Sequence, residues 1–535
     1  MAATPPSRRR RSWWGWGWED QALTEDEIAE LATSLNRRFG VEPDLRPEPV
    51  LRSSMLPAPR IVPPDPLRPI ADVSVHERAR HTYGRAFRDV ARAFAGDLGG
   101  APDAVMYPTS TVDVARVLEW CDRARVAVVA YGGGSSVVGG VEYRGEGGFG
   151  AWVSLDLTRL DRVVEIDTTS RAALVEGGIM GPALEGRLRP SGLTFRHFPQ
   201  SFEFSTLGGW IATRSGGHYA TALTHVDALV EGVTVVTPAG ELRTLRVPGS
   251  GAGPSPDRLF LGSEGALGII TEAWIRLQAR PAFKTAAGVH FARWEDGVAA
   301  CRALAQSGLQ PANCRLIDAV EAATFAGVRD GSSLLVLGFE SADHPVDAAM
   351  DRALELCRDH GGVVPEAAPT GGERGDAVDR WRSSFLRAPY LRDAMIRLGV
   401  IVETFETACT WQAFDELHAQ VTDAAARALQ EVCGMGWVTC RFTHLYPDGP
   451  APYFSVFGMG RRGSEVAMWD EIKAAVSEAV LSAGGTITHH HAVGRDHRPW
   501  YDRQVPELVR SSIAAAKAVL DPGGILNPGV LVDPR

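Results

Sequence analysis

Apolar positions are sparse over the first hundred residues, and only two stretches, around Thr24–Phe39 and Val75–Phe94, repeat them at helical spacing. The proline-rich run 43–69 between them is predicted to be a linker. From Ala101 to about Arg280 the pattern changes to short β-rich runs broken by glycine. Ser110 with Asp113 three positions on is predicted to cap a helix whose inward stripe is Val114, Val117, Leu118 and Cys121. The unbroken apolar run Val126–Ala130 predicts a buried strand. Further strands are predicted at Ala151–Leu155, Arg162–Ile166, Ala172–Glu176 and Gly268–Leu277, and Val233–Thr237 and Glu241–Leu245 flank Pro238-Ala239-Gly240 as a hairpin. From about 282 to 500, amphipathic helices (Asp296–Ala305, Pro345–Asp359, Trp411–Glu431, Ser464–Leu481) alternate with strands (Ser333–Phe339, Val400–Glu406, Tyr453–Met459). That is an α+β pattern whose second half carries an antiparallel sheet.

A chain of 535 residues buries a large core and divides into two or more domains. Its net charge of -10 argues against nucleic acid as the main partner. With three lysines (Lys284, Lys473, Lys517), nearly all positive charge is arginine, which suits a GC-rich bacterial gene and lowers the weight of any single Arg as a signal. Seven cysteines without a CxxC spacing predict reduced thiols in a cytoplasmic compartment. Arg8–Arg11 is followed by Ser12-Trp13-Trp14-Gly15-Trp16-Gly17-Trp18-Glu19-Asp20 rather than by the apolar stretch of an export signal. This basic, Trp-rich segment reads either as a peripheral contact with the inner membrane surface or as a tail whose tryptophans dock on the body.

Three glycine- and hydroxyl-rich segments fall in the first half. Ala130-Tyr131-Gly132-Gly133-Gly134-Ser135-Ser136 closes a buried strand, as a loop that cradles an anion with its backbone N–H groups should. Its spacing is neither GxGxxG nor that of a Walker loop. The second segment runs through Gln200, Ser201, Phe202, Glu203, Phe204, Ser205 and Thr206 to Thr213, Arg214, Ser215 and Gly216; the third is Ser263-Glu264-Gly265-Ala266-Leu267-Gly268-Ile269-Ile270. In order and mutual spacing the three resemble the flavin-binding domain of the vanillyl-alcohol-oxidase/PCMH superfamily, and the resemblance implies that they hold FAD. No histidine precedes Gly132 and no Gly-His-Ser occurs in the loop, so a dissociable, non-covalent flavin is expected. The implied fold is α+β: a PCMH-type FAD-binding domain of two α/β subdomains at 98–281 and a cap domain with an antiparallel sheet flanked by helices at 282–500. An aromatic and helical lead-in occupies 1–97, and a C-terminal helix and tail at 501–535 are expected to pack back on the FAD domain.

The cap sequence bears on chemistry. Hydroxy-acid oxidases of the superfamily carry His-x-Gly-Asp-Gly-Asn-x-His and Gly-Glu-His-Gly segments that support a metal. Here the corresponding places read His444-Leu445-Tyr446-Pro447-Asp448-Gly449-Pro450-Ala451-Pro452-Tyr453 and His489-His490-His491-Ala492. Tyr453 stands for the second histidine and His490 for the glutamate, so no metal is expected. The triplet by itself is open between metal ligation, acid/base work and a solvated turn. These departures, the Trp-rich N-terminus, Asn313-Cys314-Arg315-Leu316-Ile317-Asp318, Leu391-Arg392-Asp393 and Glu403-Thr404-Phe405-Glu406-Thr407 resemble the alkyldihydroxyacetonephosphate synthase family.

The resemblance implies exchange of the acyl group of acyl-dihydroxyacetone phosphate for a long-chain fatty alcohol, with no net redox change, in a homodimer. It implies Tyr453 as the proton-transfer residue, His489, His490 and His491 as proton carriers or leaving-group partners, and Arg392 on the substrate phosphate. Arg315 is either a second positive group or one that orders the cap. The bland readings are an aromatic core position for Tyr453 and a surface ion pair for Arg392. The ending Asp521–Leu531 looks more like that of the oxidases, and no N-terminal peroxisomal address is seen. An FAD-linked oxidase or dehydrogenase of a 2-hydroxy acid or alcohol is the alternative.

Overall fold

The computed structural model describes residues 9–217, 225–365 and 377–533, with the side chains of all but 377–386; Arg8 of the basic run lies outside them. The first half is built on two sheets. One has four strands in the order Ala71–Asp72, Ala104–Met106, Ala151–Asp156, Val126–Tyr131, the last three mutually parallel. Because a parallel sheet is covered on its faces, Val126–Val129 are apolar without alternation and fully buried. The helix Thr111–Ala124 lays Val114, Val117, Leu118 and Cys121 on it, and Ser110 Oγ accepts the Asp113 N–H (3.2 Å), as the capping pattern predicts. The other sheet has five antiparallel strands: Val163–Asp167, Ala172–Glu176, Ile269–Arg276, Val230–Thr237 and Gly240–Arg243.

The cap is one six-stranded antiparallel sheet in the order Phe283–Phe291, Ser333–Ser341, Asn313–Ile317, Gly436–Tyr446, Gly449–Met459, Val400–Glu406. Side chains alternate across a strand. Phe405, Phe454 and Val456 therefore face the helices Trp411–Cys433 and Glu465–Ser482, where they meet Leu417, Val421, Ile472 and Val476. Thr404, Tyr453, Ser455 and Phe457 face the other way and line a cavity. The helices Trp294–Gln306 and Asp347–Asp359 close a second core with Val289, Leu316 and Leu337.

Three expectations are corrected. The single helix predicted over Val75–Phe94 is two, Val75–Arg80 and Phe87–Phe94. Between them Gly84 lies against the Ser136 carbonyl too closely for a side chain, and the Arg85 N–H donates to that carbonyl (2.6 Å), so a tertiary contact overrides the helical period. The small-residue stretch ahead of the histidine triplet, which reads as a strand in the sequence, is a loop: the Gly485 and Thr486 N–H groups go to the carbonyls of Val480 and Ala408 (3.0 and 3.2 Å) and that of Ile487 to Gln504 Oε1 (2.8 Å), instead of to a neighbouring strand. The strands Phe283–Phe291, Asn313–Ile317 and Gly436–Tyr446 were not predicted; their mixed polar and apolar residues gave no clear period.

Trp13, Trp14 and Trp16 are 6%, 7% and 7% exposed, docked on the body rather than presented to a surface. Among the described residues no helix is long and apolar enough to cross a membrane. The C-terminal tail returns to the first half: Leu526 bridges Val128 in parallel, and Asn527 Nδ2 donates to the carbonyls of Gly140 and Glu264 (3.1 and 2.7 Å).

Candidate functional site

A cavity of about 330 Å³ runs from the glycine loop after the Val126–Tyr131 strand to the open face of the cap sheet. Ligand sites span roughly 300–1,000 Å³. At one end it is walled by backbone: Gly132, Gly133, Gly134, Gly208, Gly209, Gly216, Gly265 and Gly268 all line it. Without side chains such a wall lets a ligand's polar groups reach peptide N–H groups. The glycines are also fixed by close packing, since a Cβ on Gly133 would overlap the Phe204 carbonyl and one on Gly132 would overlap Thr206 Oγ1. The first two predicted segments are thus pressed against each other, and Gly265 of the third, at φ 73°, abuts Ala130. An elongated cleft, glycine-walled at one end and lined with ionisable groups at the other, fits a dinucleotide flavin. Ala130–Ser136, Gln200, Ser201, Ser205, Thr206, Thr213, Ser215, Gly216, Glu264, Gly265 and Gly268–Ile270 would hold it.

The cap sheet supplies the other end. Register places Glu406, Tyr453 and Arg441 in one cross-strand row, with Thr404, Ser455 and Thr439 in the next. Tyr453 is 5% exposed, and the Arg441 guanidinium lies 4.0 Å from its ring centroid. Burial pushes the phenol up, and Arg441 and Thr404 temper that shift. Arg441 is held by Glu321 (3.0 Å), which also accepts from Thr439 Oγ1 (3.1 Å); both Arg441 and Glu321 line the cavity. Arg392 lines it too, projecting from the Ala377–Arg397 helix; one amino group stands 3.5 Å from Glu403, whose carboxylate also receives Lys473 Nζ (3.1 Å) and Trp469 Nε1 (2.5 Å).

The histidine triplet is organised by Glu406. This carboxylate, 3% exposed, accepts the backbone N–H groups of His489 (2.6 Å), His490 (3.0 Å) and His491 (2.8 Å) and the Thr488 hydroxyl (2.5 Å). Burial raises its pKa, but the surrounding imidazoles outweigh that and hold it well below the usual carboxylate range. His490 and His491 line the cavity beside Tyr453, with ring centroids 6.3 and 5.6 Å from its ring. His489 sits behind them, Nδ1 3.0 Å from His490 Nδ1, with Nε2 2.7 Å from the Tyr446 hydroxyl and 3.1 Å from His225 Nε2. Burial lowers the pKa of His489, His491 and His444, so these rings are neutral. His444 Nε2 lies 2.6 Å from the Gly217 carbonyl, which requires that nitrogen to carry the proton. Ring nitrogens of His444, His489 and His490 lie within 4.8 Å of one another, and among the described residues these three could hold a metal. The donor set offers no carboxylate, since Glu406 is turned to the backbone, and it would suit a soft divalent ion better than a hard one.

Several predicted site residues lie elsewhere. Arg315 is 2% exposed on the Asn313–Ile317 strand and does not line the cavity; its charge helps keep His444 unprotonated. Arg441, two strands from Val400–Glu406, takes the place expected of Arg315 in the cavity wall. Phe202 stacks on Trp210, Phe204 packs with Trp16 and Tyr390, Glu203 is exposed, and Arg214 pairs with Asp227 (2.7 Å). Ser263, Ala266 and Leu267 are buried behind the third segment. Glu264 does line the cleft, and it accepts the N–H groups of Val493 and Gly494 (both 2.8 Å), tying the cofactor segment to the loop that follows the triplet. Arg441 and Glu321 were not singled out from the sequence, and Glu406 and Trp16 stood in quoted motifs without a role of their own; the one available signal for Glu406 was a carboxylate pair, Glu403 and Glu406, inside an otherwise apolar strand.

Comparison with known proteins agrees with this construction. A family described as FAD binding domain matches residues 102–246, and FAD linked oxidases, C-terminal domain, matches 280–531. The chain is similar to a Trypanosoma brucei brucei alkyldihydroxyacetonephosphate synthase (28% identity, covering 97% of this chain and 92% of that one). It is also similar to a Caenorhabditis elegans alkyldihydroxyacetonephosphate synthase (30% identity, 85% and 80%). A solved alkyldihydroxyacetonephosphate synthase shares the fold with a TM-score of 0.80 at 24% identity, covering 97% of this chain and 98% of that one.

Proposed function

The chain belongs to the alkyldihydroxyacetonephosphate synthase family, and on that footing we propose that Tyr453, His490, His491, Arg392 and Arg441 carry an FAD-dependent exchange of the acyl group of acyl-dihydroxyacetone phosphate for a long-chain alcohol. The observation that carries the reading is one cavity shared by the glycine-walled cleft and this cluster. Held by the glycine-walled segments, FAD would supply an electron-accepting ring for an exchange that has no net redox change.

The remaining work falls to the chain. The substrate C1 must lose and regain a proton. Tyr453, with its phenol protonated at neutral pH and with the neutral His491 and the ring of His490 beside it, is the group placed to move one. Departure of the fatty acid as a carboxylate calls for a donor, which an imidazole or the Arg441 guanidinium provides. The arriving alcohol must give up its hydroxyl proton to an imidazole. A substrate phosphate is a dianion, and Arg392, held by one carboxylate at 3.5 Å, has guanidinium donors left for it. Val402, Met395, Phe325 and Phe457 make an apolar wall for the alkyl chains. Free, mostly buried cysteines suit a reducing cytoplasm, and the bilayer-partitioning substrates suit a homodimer working beside the inner membrane surface.

The test is anaerobic. Acyl-dihydroxyacetone phosphate should bleach the flavin and release fatty acid, and hexadecanol should then appear in an ether product, without reduction of an external dye. Steady dye reduction by a 2-hydroxy acid, with no alcohol incorporated, would sink the reading in favour of an oxidase.

A further inference from the structure

The Trp-rich N-terminal segment does more than fill a surface groove. Trp16 lines the same cavity as the glycine loop, is 7% exposed, and its Nε1–H is buried with no hydrogen-bond partner. A buried donor left without a partner is destabilising, so its persistence on a cavity wall points to an acceptor supplied by whatever occupies that cavity. Five residues earlier, the Arg11 guanidinium donates to the carbonyl of Gly133 (2.9 Å), and it makes no ion pair among the described residues. Burial lowers the Arg11 pKa to about 10; Arg80 and Arg85 add to the shift while Tyr131 and Asp156 oppose it, and the guanidinium is held charged at the loop. The segment is fixed at its other side to the cap: the Trp16 N–H donates to Asp393 Oδ2 (2.6 Å) and the Trp18 N–H to the Tyr390 hydroxyl (3.3 Å). Asp393 and Tyr390 ride on the helix that presents Arg392.

We infer that residues 11–18 form a fourth wall of the flavin site, in which Trp16 donates its indole N–H to the bound dinucleotide and Arg11 fixes the glycine loop. The inference rests on the flavin reading of the cleft. The segment joins the cofactor loop to the cap helix, so flavin binding and the seating of Arg392 are mechanically coupled. Asp393 reaches this coupling only through the strap, since it does not line the cavity.

Apoprotein is titrated with FAD and the dissociation constant is read from flavin fluorescence. Wild-type binding tests the flavin reading itself. Trp16→Phe, which keeps an aromatic ring in place and removes the donor, should weaken FAD about tenfold. Arg11→Met, which keeps the packing against Trp18 and Phe204, should weaken it similarly. Asp393→Ala should weaken it as well, while Asp393→Asn, which still accepts the Trp16 N–H, should not. Apo melting curves establish that each variant is folded; should Trp16→Phe fail there, Arg11→Met carries the test. A folded Trp16→Phe or Arg11→Met that binds FAD as tightly as the wild type overturns the inference.

Discussion

Tyr453 owes its chemistry to a row of three residues. Its strand neighbours are Glu406 on one side and Arg441 on the other, so the phenol stands between a carboxylate that organises imidazoles and a guanidinium over its ring. Neither neighbour alone would single it out. In a solvated sheet the same tyrosine would be a packing residue, and the sequence left that alternative open. Tyr453→Phe removes one oxygen without altering the aromatic surface. The expected outcome is unchanged FAD affinity with the exchange rate reduced by roughly 10²–10⁴-fold, the usual contribution of a positioned proton carrier. A rate within the error of the wild type, measured as ether formation, would return Tyr453 to the core. The same logic explains Arg315 and Arg441. Both are strand arginines in mixed sequence, and only cross-strand register decides which one meets the cavity.

Elements with a local cause were legible in the chain. The capped helix Thr111–Ala124 and the strands Ala172–Glu176 and Val400–Glu406 lie where periodicity and capping put them. Those with a non-local cause were not. The Val75–Phe94 periodicity breaks where Arg85 reaches the glycine loop, and the triplet's loop exists because Glu406 draws in three N–H groups. The C-terminal helix Glu507–Leu520 shows the energetic side of such contacts. Lys517, 4% exposed, points inward to Asp521 (2.6 Å) and to the carbonyls of Ala266 (2.8 Å) and Leu526 (2.6 Å). It staples the third cofactor segment to the tail. Lys517→Ala takes the cation from the buried Asp521 carboxylate, which keeps only the Ile525 and Leu526 N–H groups, and leaves two carbonyls without their donor, at a cost of about 3–5 kcal/mol. A chemical-denaturation midpoint shifted by much less would show that the tail is not a structural part of the flavin-binding half.

Across the whole molecule, burial of histidine sets the response to acid. His81, His197, His225, His418, His444, His489, His491 and His497 all have lowered pKa values, chiefly through burial, with His197 at about 3 and His497 at about 4. Below their ordinary value of 6.5 the unfolded chain binds protons that the folded one refuses, so stability falls as pH drops through that value. Four buried carboxyls work in the opposite sense: Asp89 is raised to about 6, and Glu264, Asp318 and Asp393 to about 7, all mainly by burial. They stabilise below their unfolded values and lose that contribution as pH rises through about 6–7. The histidines are twice as many, and the lowered carboxylate of Glu406 adds acid lability below its ordinary 4.5. The denaturation midpoint should therefore decrease steadily from about pH 7 to about pH 5; a midpoint that rises on acidification contradicts this balance.

The chain by itself determined the two halves, the three glycine segments and the kind of chemistry, because glycine spacing, apolar period and residue type are local properties. What the tertiary structure decided is which charged groups share the cavity: Arg441 and Glu321 in, Arg315 out, His489 behind His490, and Trp16 brought from the far end of the sequence to the flavin cleft. Those choices depend on strand register and on contacts between residues hundreds of positions apart, and no local pattern encodes them.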